Sequence, residues 1–174
     1  MTTQYKNDVS IETPMTLSNG FSIKNRLFKS AMSEQLADRD HNPTKGLQAL
    51  YRTWAKGGIG LAISGNIMVD RDQLGEPKNV VLDAQSDLQK FKAWTKAGTI
   101  NNTKLWAQLN HPGKQVPSFI SNEPLAPSAL PLEGNLQKNF KCPRALSDEE
   151  IETIIQQFAN CARLAKETGF SGVQ

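Results

Sequence analysis

The sequence predicts an α/β fold of repeated βα units, and three observations predict it. Short apolar runs with strand character alternate with longer stretches whose apolar residues recur at helical spacing. One of them, GLAISGN at residues 60–66, carries little polar interruption, as parallel strands do when helices cover them. Helix caps and stops sit where the alternation changes.

An Asn19-Gly20 pair between short apolar segments is a strong two-residue hairpin signal and puts a small β-hairpin ahead of the first strand. That strand is residues 27–32, LFKSAM. In the following LQALYRTWAKGG, Leu47, Leu50, Tyr51 and Trp54 fall at i, i+3, i+4 and i+7, and Gly57 supplies the stop of a first helix. Residues 60–66, GLAISGN, form a second strand. A second helix runs from a Ser86 cap to Ala97, with Leu88, Phe91 and Trp94 on one stripe. A third strand, KLWAQLN, occupies residues 104–110.

Between Asn110 and Ser147 lies a proline-rich excursion, too long for a mere connector and too broken for a helix. Ser147 and Glu150 then form an S-x-x-E capping box, and Asp148 and Glu149 favour the positive end of the helix dipole. Ile151, Ile154, Ile155, Phe158, Ala162 and Ala165 keep helical spacing to Gly169, after which a fourth strand begins. Residues 1–14 read as a flexible arm and residues 15–174 as one domain. Three complete βα units and the start of a fourth strand amount to the N-terminal half of a (β/α)8 TIM barrel, whose usual size is ~250 residues. The chain is therefore expected to be cut partway through its fold, with a fourth strand that pairs poorly and two unpaired strand edges.

Composition narrows the function classes. The net charge of +3 comes from basic residues scattered singly, which speaks against nucleic acid as a partner. Cys142 and Cys161 form neither a disulfide framework nor a metal-ligand cluster, and reduced thiols fit a cytoplasmic protein. The polar N-terminus and the lack of a long apolar run give no signal peptide and no membrane span.

Four stretches carry a resemblance: NRLFKSAMSE, GLAISGNIMVD, WAQLNHPGKQ, and the segment from APSAL through PRALSDEEIETIIQQFANCARLAKETGFSGVQ. Together, in this order and spacing, they resemble the Old Yellow Enzyme family, the ene-reductases built on a TIM barrel that use FMN and NAD(P)H. The resemblance implies that Ser30, Ala31, Met32 and Ser33 line the flavin, largely through backbone groups. Ala31 stands where the family usually has proline, which loosens that turn. Ser33 is implied to face flavin O4 and N5, where a hydroxyl donor shifts the redox potential. Gly65 and Asn66 stand where the family has an acidic-then-small pair, and Gln108 matches the glutamine at the pyrimidine edge of the ring.

Each residue also has a plainer reading. Small residues in KSAMS suit many buried strands, and Gln108 alone is as easily a satisfied interior amide. His111 is read as ordering its turn, His41 as solvent-exposed, and Trp54 and Trp94 as core. The resemblance implies reduction of alkenes conjugated to a carbonyl or nitro group, and it places the family's substrate-polarising His pair beyond Gln174. No catalytic residue is therefore assigned, and the 174-residue chain is expected to be inactive. The rival expectation is a non-catalytic half-barrel that self-associates as a homo-oligomer.

Overall fold

In the computed structural model, which describes residues 9–174, the strand-like runs lie side by side in one parallel sheet with the helices packed on one of its faces. The chain enters through an antiparallel hairpin, β1 (Met15–Thr16) and β2 (Ser22–Ile23). Its bend spreads over residues 17–21, wider than the expected two-residue turn. Leu17 N–H donates to Phe21 O at 2.9 Å, and Gly20 takes φ +82°, which only glycine adopts without strain. Ahead of it, Arg26 N–H donates to Ile11 O, tying down residues 10–13; the first eight residues of the expected arm lie outside the described residues.

The first sheet strand, β3 (Phe28–Lys29), leads through α1 (Lys45–Lys56) to β4 (Leu61–Met68), and the short β5 (Val80–Val81) precedes α2 (Leu88–Gly98). Next come β6 (Lys104–Asn110), the small parallel pair β7 (Leu125–Ala126) and β8 (Arg144–Ala145), α3 (Asp148–Glu167) and β9 (Gly172–Val173). Sheet order is β3-β4-β6-β9, every pairing parallel. β5 pairs with the far end of β4, Ile67 opposite Val80, on the edge that β3 leaves after two residues. Strand one is thus shorter than the expected 27–32, because β5 takes its place beside β4 and frees residues 30–33 to turn away.

β9 pairs better than expected. Trp106 faces Gly172 and Ala107 faces Val173, while Gln174 N–H donates to Ala107 O and Leu109 N–H to Gln174 O.

The core forms between the sheet and the helices. Trp94 is buried and meets Tyr51 and Phe170 edge-on, with ring centroids 5.2 and 5.3 Å away, the orientation that aromatic quadrupoles favour. Leu47, Ala62, Phe91, Leu105, Ala107, Cys161, Leu164 and Ala165 complete this layer. Each large apolar side chain removed from water here contributes about 1.5–3 kcal/mol. Trp54 packs partly buried against the layer, 4.9 Å from the Tyr51 ring, so both helical tryptophans serve the core as expected.

The helices begin where a side chain accepts their first free N–H groups. Thr44 accepts from Leu47 N–H at α1, and Asp87 accepts from Gln89 and Lys90 N–H at α2. The expected cap Ser86 instead donates to Val81 O and Asp83, because Asp87 is the stronger acceptor next in line. α3 carries the full capping box of Ser147 and Glu150 and stops at Gly169, φ +96°.

α3 differs from expectation along its first turns. Cys161, Leu164 and Ala165 are buried, whereas Ile151 and Ile155 are exposed and Ile154 is half-buried beside Asp70, Leu125 and Leu146. The proline-rich excursion is ordered as the β7–β8 pair and a 3-10 turn over Gly134–Lys138. No helix among the described residues is long and apolar enough to cross a membrane.

The α3 cap is pH-sensitive. The Arg144 guanidinium, which forks onto both Glu150 oxygens at 2.7 and 2.8 Å, and the Ser147 N–H together hold the Glu150 carboxyl down to about 2. A depressed carboxyl stabilises the fold above its unfolded value of 4.5 and loses that contribution as pH falls toward 2. Glu150→Gln should therefore lose less thermal stability than wild type between pH 5 and pH 2, read by circular dichroism melting; equal losses would refute the assignment.

Candidate functional site

The sheet face turned away from the helices carries most of the expected cofactor residues, and register explains how. In a strand, alternate residues face alternate sides. Lys29, Ala62 and Leu105 form one register row on the helix side, all buried. Ile63 and Trp106 form a row on the open side. The next open-side row is Asn66 and Gln108, two residues further along β6 but three along β4. The extra residue is a β-bulge between Ile63 and Asn66, which resets the alternation and brings the Asn66 amide, rather than Gly65, into line with Gln108.

Gly65 faces strand one instead. A Cβ there would fall against Met32 O and the Glu34 carboxylate, so the bulge is seated directly on the residue 30–33 turn. Ser30, Met32 and Ser33 are exposed along that turn and Ala31 is half-buried. The Ser33 hydroxyl oxygen accepts from Asn79 Nδ2 at 3.3 Å. Asn79 is buried, and its Oδ1 accepts from Glu76 N–H at 2.7 Å, which fixes the orientation of the amide. The Ser33 proton is left to point elsewhere. Gln108 Nε2 donates to Gln174 Oε1 at 3.1 Å, and its backbone N–H donates to the buried Ser64 Oγ at 2.9 Å.

Below this row the hairpin closes the sheet. Phe21 lies 6.2 Å from the Trp106 ring, the Lys104 ammonium sits 5.4 Å over Phe21, and Ile23 is fully buried beside Gly60. Beside the row, a cavity of about 360 Å³ opens between Asn66, Glu76, Asn110, His111 and Phe140. The long excursion thus supplies a side wall. A cavity of similar size around Lys114, Ala126 and Leu130 lies within the excursion and contains none of the expected cofactor residues.

Each histidine is engaged through Nδ1. His111 Nδ1 accepts from Gly113 N–H at 3.2 Å, which places the ring proton on Nε2, and burial pushes its pKa below the usual imidazole value. His41 is half-buried rather than exposed, its Nδ1 3.1 Å from Asn79 O, because its loop is stitched to β5 by Val81 N–H donating to His41 O. Among the described residues no group of three His, Cys, Asp or Glu side chains is placed to hold a metal, and both cysteines are free.

Sequence reasoning passed over Lys29, Glu34, Tyr51 and Asn79, which support the turn from behind. One signal was present: a lysine inside LFKSAM, with a glutamate five residues on, is out of place in an apolar strand.

The residues present suit a flavin. Two carboxamides in register can each donate and accept, as a ring edge of alternating carbonyl and N–H groups requires, and the Ser33 proton is available beside them. Because the Gly65 position has no room for a methyl group, Gly65→Ala should cost about 1–3 kcal/mol of overpacking and lower the melting temperature by several degrees. An unchanged melting temperature would show that the turn can yield.

The chain is similar to known proteins over most of its length. The model of the NADH:flavin oxidoreductase / NADH oxidase family matches residues 10–174. The chain is 36% identical to the NADH-dependent flavin oxidoreductase iliE of Neonectria sp. (strain DH2), over 96% of this chain and 24% of that protein. It is also 36% identical to the protein of the same name from Hypocrea jecorina, over 92% of this chain and 44% of that protein. The structure of the old yellow enzyme homologue from Zymomonas mobilis superposes with a TM-score of 0.80 at 30% identity, covering 95% of this chain and 47% of that one. Morphinone reductase shares the fold, with a TM-score of 0.82 over 48% of its chain at 24% identity. The chain spans less than half the length of these relatives. With its parallel βα units and a family model matched over residues 10–174, the chain belongs to the NADH:flavin oxidoreductase / NADH oxidase family of FMN-dependent, NAD(P)H-using enzymes, and corresponds to the part of their TIM barrel up to the fourth strand.

Proposed function

We propose that the open face of the sheet is one wall of an FMN site in an NAD(P)H oxidoreductase that reduces activated, α,β-unsaturated alkenes. The observation that carries this reading is the in-register pair Asn66 and Gln108 beside the residue 30–33 turn. When bound, FMN supplies the two-electron carrier between NAD(P)H and the alkene. The chain's own residues bind and orient. The Asn66 and Gln108 amides would hold one ring edge by hydrogen bonds, and the Ser33 hydroxyl, its oxygen held by Asn79, would be free to donate to it. The exposed Met32 side chain offers apolar cover that keeps water from the ring. The cavity at Asn66, His111 and Phe140 lies beside this edge and is where a small substrate would enter.

Titration of FMN fluorescence against the protein tests the reading. Wild type should quench, and Asn66→Ala and Gln108→Ala should each weaken binding roughly five- to tenfold, the worth of one hydrogen bond of about 1 kcal/mol. Full affinity in the double variant would move the site elsewhere.

A second reading is favoured by the apolar sheet edges: Phe28 on β3 and Val173 on β9 are 46% and 45% exposed, and Ile155 of α3 is 52% exposed. A half-barrel of this kind could act without catalysis by pairing with a second copy of itself. Light scattering distinguishes the two: self-association predicts a dimer that Val173→Lys dissociates, whereas a monomer excludes it.

A further inference from the structure

Behind the turn lies a cluster that the proposed chemistry does not use. The Lys29 ammonium is buried, its side chain only 7% exposed, yet all three of its N–H groups find acceptors. They reach Glu34 Oε1 at 3.0 Å, the Tyr51 hydroxyl at 3.1 Å and Ile63 O at 2.9 Å. The Tyr51 hydroxyl donates to Glu34 Oε1 at 2.6 Å and accepts from Gly65 N–H at 3.2 Å. Burial and the neighbouring Glu34 charge push the phenol well above its usual value, so it remains the donor to that carboxylate. The Trp54 ring lies 4.6 Å from the ammonium and covers it from the helix side.

The placement in the chain gives this cluster its meaning. Lys29 immediately precedes residues 30–33 and Glu34 immediately follows them, so their ion pair clips both ends of the turn. Tyr51 then ties the clip to the backbone of the β4 bulge, and the Glu34 carboxylate fills the space that a Gly65 side chain would need. The turn itself is paired into no strand. Its path is therefore held from behind by the Lys29 ammonium, the Glu34 carboxylate and the Tyr51 hydroxyl.

We propose that Lys29, Glu34 and Tyr51 form a buried latch that clips the residue 30–33 turn shut and seats it on the Gly65 backbone, presetting that wall of the site before any cofactor arrives. Its cofactor-facing consequence rests on the flavin reading above. All three are positioning residues, since none of them lies on the open face.

Limited trypsin digestion reads the latch directly, because cleavage after Lys29 requires the ammonium to leave its cage, and cleavage of a transiently opened state follows the population of that state. Tyr51→Phe keeps the ring and removes only the shared hydroxyl. Cleavage at Lys29–Ser30 should accelerate by at least about tenfold, since the hydroxyl's charge-assisted hydrogen bonds with Glu34 and Lys29 and its bond from Gly65 N–H are lost together. Glu34→Gln should accelerate it further; if that variant does not fold, Tyr51→Phe decides alone. Thr95→Val, which removes a buried hydrogen bond to Thr168 O, is the control: it should lower the melting temperature without changing the Lys29 cut. Equal cleavage in Tyr51→Phe and wild type overturns the latch, as does equal acceleration in the Thr95 control. Added FMN separates the two claims. If Tyr51→Phe accelerates cleavage and FMN slows the wild-type cut, both stand; if Tyr51→Phe accelerates cleavage but FMN has no effect on wild type, the latch stands and the flavin reading falls.

Discussion

One strand sets the geometry of the whole molecule. β4 is hydrogen-bonded to β6 along its length on one side and to β3 and then β5 on the other, so every other sheet strand but β9 takes its register directly from it. A parallel strand in such a place must be apolar on the helix side and continuous in its backbone pairing. β4 meets both demands except at one point, the bulge at Ser64 and Gly65. The alternation changes there, an amide replaces an aliphatic side chain on the open face, and the missing Gly65 side chain admits the neighbouring turn. A single inserted residue thus separates a plain structural strand from one that presents chemistry at its end.

The charges buried behind that point follow from the same constraint. A turn that leaves the sheet early gives up ladder hydrogen bonds, and its path must be fixed by side chains instead. A lysine taken out of water is costly unless each N–H is matched, and here each is. The aromatic faces of Tyr51 and Trp54 complete the enclosure and also belong to the hydrophobic layer, so the polar cluster and the core share residues. Stability and site geometry are for that reason coupled at Tyr51.

What could be read from the sequence was what local periodicity encodes. β6 occupies the expected residues 104–110, the α3 capping box is formed as its four-residue signature indicates, and Trp94 fills the core as its helical stripe requires. The family motifs brought Asn66 and Gln108 together before any coordinates did, although only register shows that they share a row. What escaped was set by contacts between segments far apart in the chain. Strand one ended early because β5, some fifty residues on, takes its edge. The latch was hidden for the same reason: Lys29, Tyr51 and Gly65 meet only once α1 has packed on the sheet.

The hairpin below the sheet fixes a level as well as an end. Trp106 stands two residues before Gln108 on β6, and at ~3.3 Å per residue the amide row lies one side-chain layer, ~7 Å, above the Phe21–Trp106 stack. That tilted pair works as a floor. It closes the open face beneath Asn66 and Gln108, so smaller side chains at Phe21 or Trp106 would deepen the space under the two amides while leaving the amides themselves in place.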